Sequence, residues 1–392
     1  MKLSKIKKLC AVALAISLTA SVFVGCGKQN EAGGQREQKL TYNLGAVVKT
    51  IDPALNTAVD GSTVISNAFE GLVRLDENEK AIPGVAKEWK VSDDGLTYTF
   101  TIRDDAKWSD GKPVTAKDFE YSWKRVLNKE TASEYVYQFW YIKNAQEYYN
   151  GKVDEKDLGI KVIDDKTLEV TLNAPTPYFA ELMAFPTYMP VRQDVVEANG
   201  DKWINSPETY ISNGPFKLTD YQMKDSYTFE KNENYWNKDN VKLEELVYKM
   251  ATDETSSYAS LESENFDMIS NVPTERIEDG KENGLVKVFP NLGTYFLCVN
   301  VGNDLDKLDK EVKEALSNKN VRKALSLAID RETIVNDVTK AEQVPSASFV
   351  PSGIKDSDRK DFKNNKFDPL NFEENVKEAK KLLKEAGYEN GE

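Results

Sequence analysis

The chain has 392 residues, of which 30% are charged and 40% hydrophobic, and it contains no histidine. A formal net charge of −13 argues against a nucleic-acid or anionic-lipid partner. The absence of histidine excludes Ser-His-Asp and Cys-His nucleophile arrangements and histidine-based zinc, nickel or copper sites. We therefore predict about two or three compact globular units with no cofactor, no metal and no nucleic-acid partner.

The N-terminus has the pattern of an export signal. A basic stretch, Met1–Lys8, precedes an apolar run, Leu9–Val24, which is shorter than the about 20 residues that a membrane-spanning helix needs. The run is followed by Gly-Cys-Gly around Cys26, as in a bacterial lipobox. We predict a lipoprotein signal peptide over 1–25, lipidation (palmitate) of Cys26 and a flexible tether over 26–38. The alternative is a signal whose cleavage site happens to contain a cysteine.

The first predicted elements are a strand over 41–48 and a short helix over 62–69. A β-rich unit follows from about 71 to 192. Within it, Thr97–Ile102 alternates polar and apolar residues like a half-buried strand, and Thr115 is placed to cap a helix. The further strands are expected as a hairpin around Asp165-Lys166, a pair within 213–236 and a single strand at 246–250. Helices are expected at 256–263, after a cap at Asn320, and at 374–386. An extended segment is expected over 286–301.

Alternation of strands and helices predicts an α/β protein. Of the cysteines beyond Cys26, Cys10 lies in the signal peptide, and Cys298 lies in the extended segment and is predicted to be a small buried core residue. Adjacent acidic pairs could suggest catalysis, but neighbouring side chains point apart on strands and are solvated in turns, so we predict no enzyme activity. These pairs are Asp93-Asp94, Asp104-Asp105 and Asp164-Asp165.

Several short motifs stand in a fixed order along the chain. The most specific runs from Gly84 to Phe119 and reads GVAKEWKVSDDGLTYTFTIRDDAKWSDGKPVTAKDF. The other motifs are Ile51-Asp52-Pro53, Phe69-Glu70-Gly71-Leu72, Thr131-Ala132-Ser133, Leu158-Gly159-Ile160, Ser212-Asn213-Gly214, Asn234-Tyr235-Trp236, and Asn320-Val321-Arg322-Lys323-Ala324-Leu325 followed by Ile329-Asp330-Arg331.

On these motifs the chain, from about Leu40 onward, resembles the bacterial extracellular solute-binding proteins of family 5, the oligopeptide-binding lipoproteins of ABC importers. The resemblance implies a periplasmic-binding-protein-like fold of two lobes, with an inserted β-rich subdomain. The first lobe would comprise 39–69 and 193–289, the insert 70–192 and the second lobe 290–392. Family members continue beyond the position of Glu392, so we expect an incomplete second lobe and a C-terminally truncated chain.

The resemblance also implies a peptide-binding cleft. An extended peptide would pair its backbone with a first-lobe strand at Thr57-Ala58-Val59. Tyr135 matches a position that faces the ligand, whereas Trp89 and Trp108 are assigned to the core of the insert. Without the resemblance, residues 57–59 would be an ordinary loop and the aromatic run around Tyr135 would be core packing. The remaining positions, near the hinge and cleft, are Asn271, Tyr295 and Phe296.

The implied function is a monomeric receptor, anchored through Cys26 on the extracellular or periplasmic face of the cell membrane, that captures short peptides and delivers them to ABC permease subunits. A closely related alternative is a receptor of the same fold whose ligand is a pheromone peptide or an oligosaccharide. Nickel is disfavoured as the ligand because histidine is absent. A chaperone-like or adhesive lipoprotein and a non-transporting remnant are also compatible with the sequence.

Overall fold

The computed structural model describes residues 38–302, 307–356, 358, 360–362 and 367–389. The predicted signal peptide, Cys26 and the tether up to residue 37 therefore lie outside the described residues. None of the helices in the described ranges is long and apolar enough to span a membrane.

The strands are β1 (Lys39–Asn43), β2 (Val73–Leu75), β3 (Ala81–Pro83), β4 (Ala86–Val91), β5 (Thr97–Ile102), β6 (Ile160–Asp164), β7 (Thr167–Thr171), β8 (Phe216–Gln222), β9 (Ser226–Lys231), β10 (Glu245–Lys249) and β11 (Met268–Ile269). The helices are α1 (Val59–Ala68), α2 (Ala116–Val126), α3 (Ala145–Tyr149), α4 (Phe179–Leu182), α5 (Gln193–Asn199), α6 (Glu254–Glu262), α7 (Ile277–Glu282), α8 (Lys310–Ser317), α9 (Lys319–Leu327), α10 (Arg331–Thr333) and α11 (Phe372–Glu385).

A five-stranded mixed sheet has the strand order β11-β1-β10-β9-β8. β1 lies parallel to both of its neighbours, whereas β8, β9 and β10 form antiparallel pairs. β1 ends at Asn43 rather than at the predicted residue 48, because the chain turns at Gly45, which has a positive φ of 72°. The buried Asn43 side chain then bonds to Ala251 N and O, which fixes the loop after β10.

A four-stranded antiparallel sheet, β4-β5-β7-β6, is formed by the chain between the two parts of the first sheet. β5 has the predicted bounds and alternating burial, and the β6–β7 hairpin turns at Asp165-Lys166 as predicted. The predicted cap of α2 is also confirmed, because the Asp118 carboxylate accepts hydrogen bonds from Thr115 N at 2.8 Å and Thr115 Oγ1 at 3.0 Å. Trp108 is buried, and Trp89 is half-buried against the same core.

One continuous hydrophobic core joins the two sheets, from Leu44 to Met250. A second, smaller cluster, in which Leu327 and Leu382 are buried, joins α9 to α11. The helix predicted from Asn320 begins at Lys319 and is capped by Asn318, whose side chain accepts a hydrogen bond from Asn320 N. Asn320 was predicted as the cap of this helix, so the predicted cap and the predicted start both lie two residues too late.

The predicted extended segment over 286–301 has no strand partner among the described residues. Its large apolar side chains are exposed, including Phe289 at 69% and Leu297 at 79%. Cys298 is also exposed, so the prediction of a buried core cysteine was wrong. An apolar composition indicated burial here, but no described sheet or helix covers these side chains.

A buried carboxylate lies where the chain leaves α1 and enters the region of β2 to β7. Glu70 is only 4% exposed, and its carboxylate accepts hydrogen bonds from Tyr235 Oη and, at 2.6 Å, from Trp236 Nε1. Asn213 bonds to the backbone N and O of the same residue. Arg103 stacks on the Trp236 ring at 3.3 Å. Residues from four separate motifs therefore meet at one point.

Burial raises the pKa of Glu70 above its ordinary value of 4.5, although Tyr235, Trp236, Arg74 and Arg103 oppose the shift. Because the folded protein holds this proton more tightly than the unfolded chain does, the free energy of unfolding should fall as pH rises through the window above about 4.5.

The Glu70→Gln variant should lack this part of the pH dependence. We expect it to gain stability relative to the wild type as the pH is raised above about 4.5, measured by urea denaturation at several pH values. The exposed acid Glu88 provides the control, since Glu88→Gln should keep the wild-type profile. Parallel profiles for wild type and Glu70→Gln would contradict this assignment.

Candidate functional site

The candidate site begins at Asp52, a buried carboxylate within the loop that joins β1 to α1. Arg125 of α2 donates two hydrogen bonds to it, at 2.9 and 2.6 Å, and Trp203 Nε1 donates a third at 3.1 Å. The same carboxylate accepts from Ala54 N at 2.9 Å. Side chains distant in sequence therefore hold this part of the loop in a fixed position.

The loop continues through Asn56, which is 4% exposed and fastens the start of α1. Its Nδ2 donates to Ala58 O at 2.9 Å and to Ser62 Oγ at 2.8 Å. Gly61 lies against this arrangement, since a Cβ there would be 2.0 Å from Asn56 Oδ1 and 2.8 Å from Thr50 O. Only glycine fits at this position without displacing the loop.

The structure does not form the predicted strand at Thr57-Ala58-Val59. Ala58 is extended, with φ −114° and ψ 150°, but Val59 is the first residue of α1 and is 85% exposed. The strand prediction was wrong because the Ala58 carbonyl accepts hydrogen bonds from Ser62 N and Asn56, which starts the helix. The exposed Thr57 forms no backbone hydrogen bond with any other described residue.

Tyr135 lies beside this loop. Ser133 Oγ donates to Ala54 O at 2.6 Å and so ties the short helical segment Glu134–Tyr141 to the loop. The half-buried Tyr135 ring meets Phe185 edge to face at 5.2 Å and Tyr137 at 5.9 Å. The turn that follows Phe185 packs against α1. The structure therefore places the segment that carries Tyr135 against this loop at Ala54.

The aromatic run around Tyr135 divides into buried and exposed members. Phe139 is fully buried and stacks on Tyr188 at 4.3 Å, so it belongs to the core. Tyr137 is 50% exposed, and Tyr141 contacts the half-exposed Tyr178 edge to face at 5.8 Å. Core packing, the alternative interpretation of this aromatic run, therefore applies to Phe139, whereas Tyr137 and its neighbour Tyr178 are exposed at the surface.

Asn271 lies at another edge of the structure, just beyond β11. It is exposed and packs over Gly45, where a Cβ would lie 2.7 Å from Asn271 Nδ2. A neighbouring groove of about 500 Å³ is lined by Val47, by Phe266 and by residues 249–252, at the carboxyl ends of β1 and β10. The ends of parallel strands are frequent ligand positions in α/β sheets.

Tyr295 and Phe296 lie in the exposed segment after α7. Tyr295 is fully exposed, and Phe296 contacts Phe349 with ring centroids 4.9 Å apart. Within the described ranges, no hydrogen bond or ring contact joins either residue to the 57–59 loop or to Tyr135. The structure thus brings together only some of the predicted site residues.

Sequence reasoning missed the residues that position the site. Arg125, Trp203 and Phe185 carry no local signal, because each contacts a residue at least fifty positions away. Ser133 belongs to one of the short motifs, but its role was not predicted.

Comparison with known proteins identifies the family. The model of the bacterial extracellular solute-binding proteins, family 5 middle, matches residues 80–392. The chain belongs to this family. Oligopeptide-binding protein OppA of Bacillus subtilis is 39% identical over 385 residues, covering 95% of this chain and 67% of that protein. Dipeptide-binding protein DppE of the same organism is 35% identical, covering 97% of this chain and 69% of that protein.

Solved structures of similar proteins support the same family and fold. Listeria monocytogenes OppA bound to peptide is 33% identical with a TM-score of 0.78, over 91% of this chain and 69% of that one. Haemophilus influenzae OppA in complex with the peptide RPPGFSPFR is 32% identical, also with a TM-score of 0.78, over 90% and 67%. The chain spans about two thirds of the length of these relatives. The predicted family and fold class are confirmed.

Family 5 members are solute-binding proteins of the extracellular or periplasmic side of the membrane, and the chain is a member of this class. The paired acids of the sequence fit this role. Asp164 bonds to Lys166 N and Thr167 Oγ1 in the hairpin turn, and Asp165 forms an exposed ion pair with Lys117. These carboxylates stabilise turns and surfaces.

Proposed function

We propose that this chain is the peptide-capturing part of a monomeric receptor that delivers oligopeptides to an ABC permease. The observation that carries the proposal is the pairing of two features: the exposed Thr57 beside the extended backbone of Ala58, and the half-buried ring of Tyr135. The Ser133–Ala54 hydrogen bond joins the two segments that carry them. Two relatives of similar fold are peptide-bound OppA proteins.

In this proposal a peptide lies extended along the 57–59 loop and is recognised through its backbone. The Ala58 carbonyl already accepts two hydrogen bonds, so Thr57 N and O and the first N–H of α1 are the groups left for the peptide. Backbone pairing gives affinity that does not depend on peptide sequence. Tyr135 would supply a flat wall with one polar tip for a peptide side chain.

Asn271, Tyr295 and Phe296 remain proposed contributors from the region near the hinge. We also propose the division into a first lobe (39–69 and 193–289), an insert (70–192) and a second lobe from 290. Closure of the lobes over a bound peptide would bury it and present a joined surface to the permease. A bound peptide can stabilise the closed state only by the difference between its binding free energies for the closed and the open state.

Tyr135→Ala tests the site directly. With a mixture of random-sequence tripeptides and pentapeptides, isothermal titration calorimetry should show saturable, stoichiometric binding to the wild type. The variant should bind at least about tenfold more weakly, because a buried aromatic contact is lost. Tyr178→Ala is the matched control, since Tyr178 is 51% exposed and contacts Tyr141 rather than the loop. Equal losses in both variants, or no saturable binding to the wild type, would contradict the proposal.

We further propose that Cys26 carries a lipid that anchors the receptor to the cell membrane. Cys26→Ser should abolish incorporation of labelled palmitate and move the protein from the membrane fraction to the medium or periplasm, because the thiol that carries the proposed lipid is lost. Cys10→Ser, within the predicted signal, should leave both readouts unchanged. Palmitate incorporation into Cys26→Ser would refute the assignment.

A further inference from the structure

A groove of about 680 Å³ lies between the C-terminal end of α2 and the chain that follows α3. Its volume falls in the range of about 300–1,000 Å³ that is typical of small-molecule sites. Three tyrosines, Tyr121, Tyr148 and Tyr149, contribute to its walls. Neither Tyr135 nor the 57–59 loop lines this groove, so it is distinct from the candidate peptide site.

Five charged side chains line the groove, and three of them are already compensated. Arg125 is bound by Asp52. Lys124 Nζ lies 2.5 Å from Glu155 Oε1, and it also bonds to Glu120 on its own helix. These contacts leave one cation, Lys129, and one carboxylate, Glu197, for a ligand.

The remaining two charges lie without opposite partners in the part of the chain that the structure describes. Lys129 Nζ is held over the Tyr149 ring at 5.2 Å, and that ring packs against Trp140 at 5.5 Å. Glu197 accepts a hydrogen bond from the neutral Gln193 amide at 2.9 Å. Neither side chain forms an ion pair with a described residue.

We propose that this groove is a second binding site, for a small zwitterion with a flat or apolar body, of which an aromatic amino acid is the simplest example. The carboxylate of the ligand pairs with Lys129, its ammonium group pairs with Glu197, and its side chain packs on the tyrosines. A simple anion or a simple cation would leave one of the two protein charges unmatched, so the pair favours a ligand that carries both.

The site is independent of the proposed peptide receptor function, and the experiment separates them. 5-Fluoro-L-tryptophan is titrated into the full chain and followed by fluorine NMR. We expect saturable binding that Lys129→Gln and Glu197→Gln each weaken by about tenfold or more, because each removes a charge-assisted hydrogen bond. The matched controls Lys152→Gln and Glu130→Gln, exposed neighbours outside the groove, should bind as the wild type does.

Two further measurements locate the bound ligand. N-acetyl-L-tryptophan amide, which has the same ring but no charge, should bind more weakly than tryptophan, and Tyr135→Ala should leave fluorotryptophan binding unchanged. The proposal is overturned if Lys129→Gln and Glu197→Gln bind like the wild type or if no binding is seen at millimolar ligand. It is also overturned if either Tyr135→Ala or an excess of oligopeptide removes the signal.

Discussion

The ion pair between Asp52 and Arg125 is the interaction on which the functional regions depend. The Asp52 side chain is 2% exposed and that of Arg125 is 13% exposed, so each charge is stable in the interior only because the other is present. Asp52 lies in the loop that leads to Thr57 and α1, while Arg125 lies near the end of α2 and contributes to the 680 Å³ groove. A single buried ion pair thus connects the loop of the candidate peptide site to the helix that lines the proposed zwitterion site.

The motifs that identify the family mainly supply buried residues that connect distant segments of the chain. Asp52, Glu70, Asn213 and Tyr235 are all nearly fully buried, and their hydrogen bonds connect segments that lie far apart in the sequence. This distribution suits a receptor that recognises peptide backbones. Backbone recognition requires precise placement of a few N–H and C=O groups, and it places little demand on the side chains of the ligand-facing loop.

Local chemistry made much of the fold predictable. Strict alternation located β5, the Asp165-Lys166 turn located the hairpin, and Thr115, placed to cap a helix, located the start of α2. These elements are specified by neighbours in sequence. The family resemblance supplied the fold class, which periodicity alone could not have distinguished among α/β proteins.

The site was less predictable, for physical reasons. Asn56 and Gly61 start a helix at Val59, so the expected strand at 57–59 cannot form, and this depends on side-chain bonds that periodicity does not reveal. Cys298 was expected to be buried because its neighbours are apolar, yet no described element covers them. The partner of Asp52 is 73 residues away in sequence. Such contacts arise from packing, and sequence pattern alone does not identify them.

The most direct test of this account is the peptide affinity of Arg125→Met, measured by calorimetry at a temperature where the variant remains folded. Breaking the buried pair should lower the free energy of unfolding by about 3 kcal/mol. Because the loop loses its anchor, the affinity for peptide should also fall by about tenfold or more. Lys117→Met, which removes an exposed ion pair with Asp165, should change neither quantity appreciably. An Arg125→Met protein that is destabilised but binds peptide with wild-type affinity would contradict the claim that this pair positions the site.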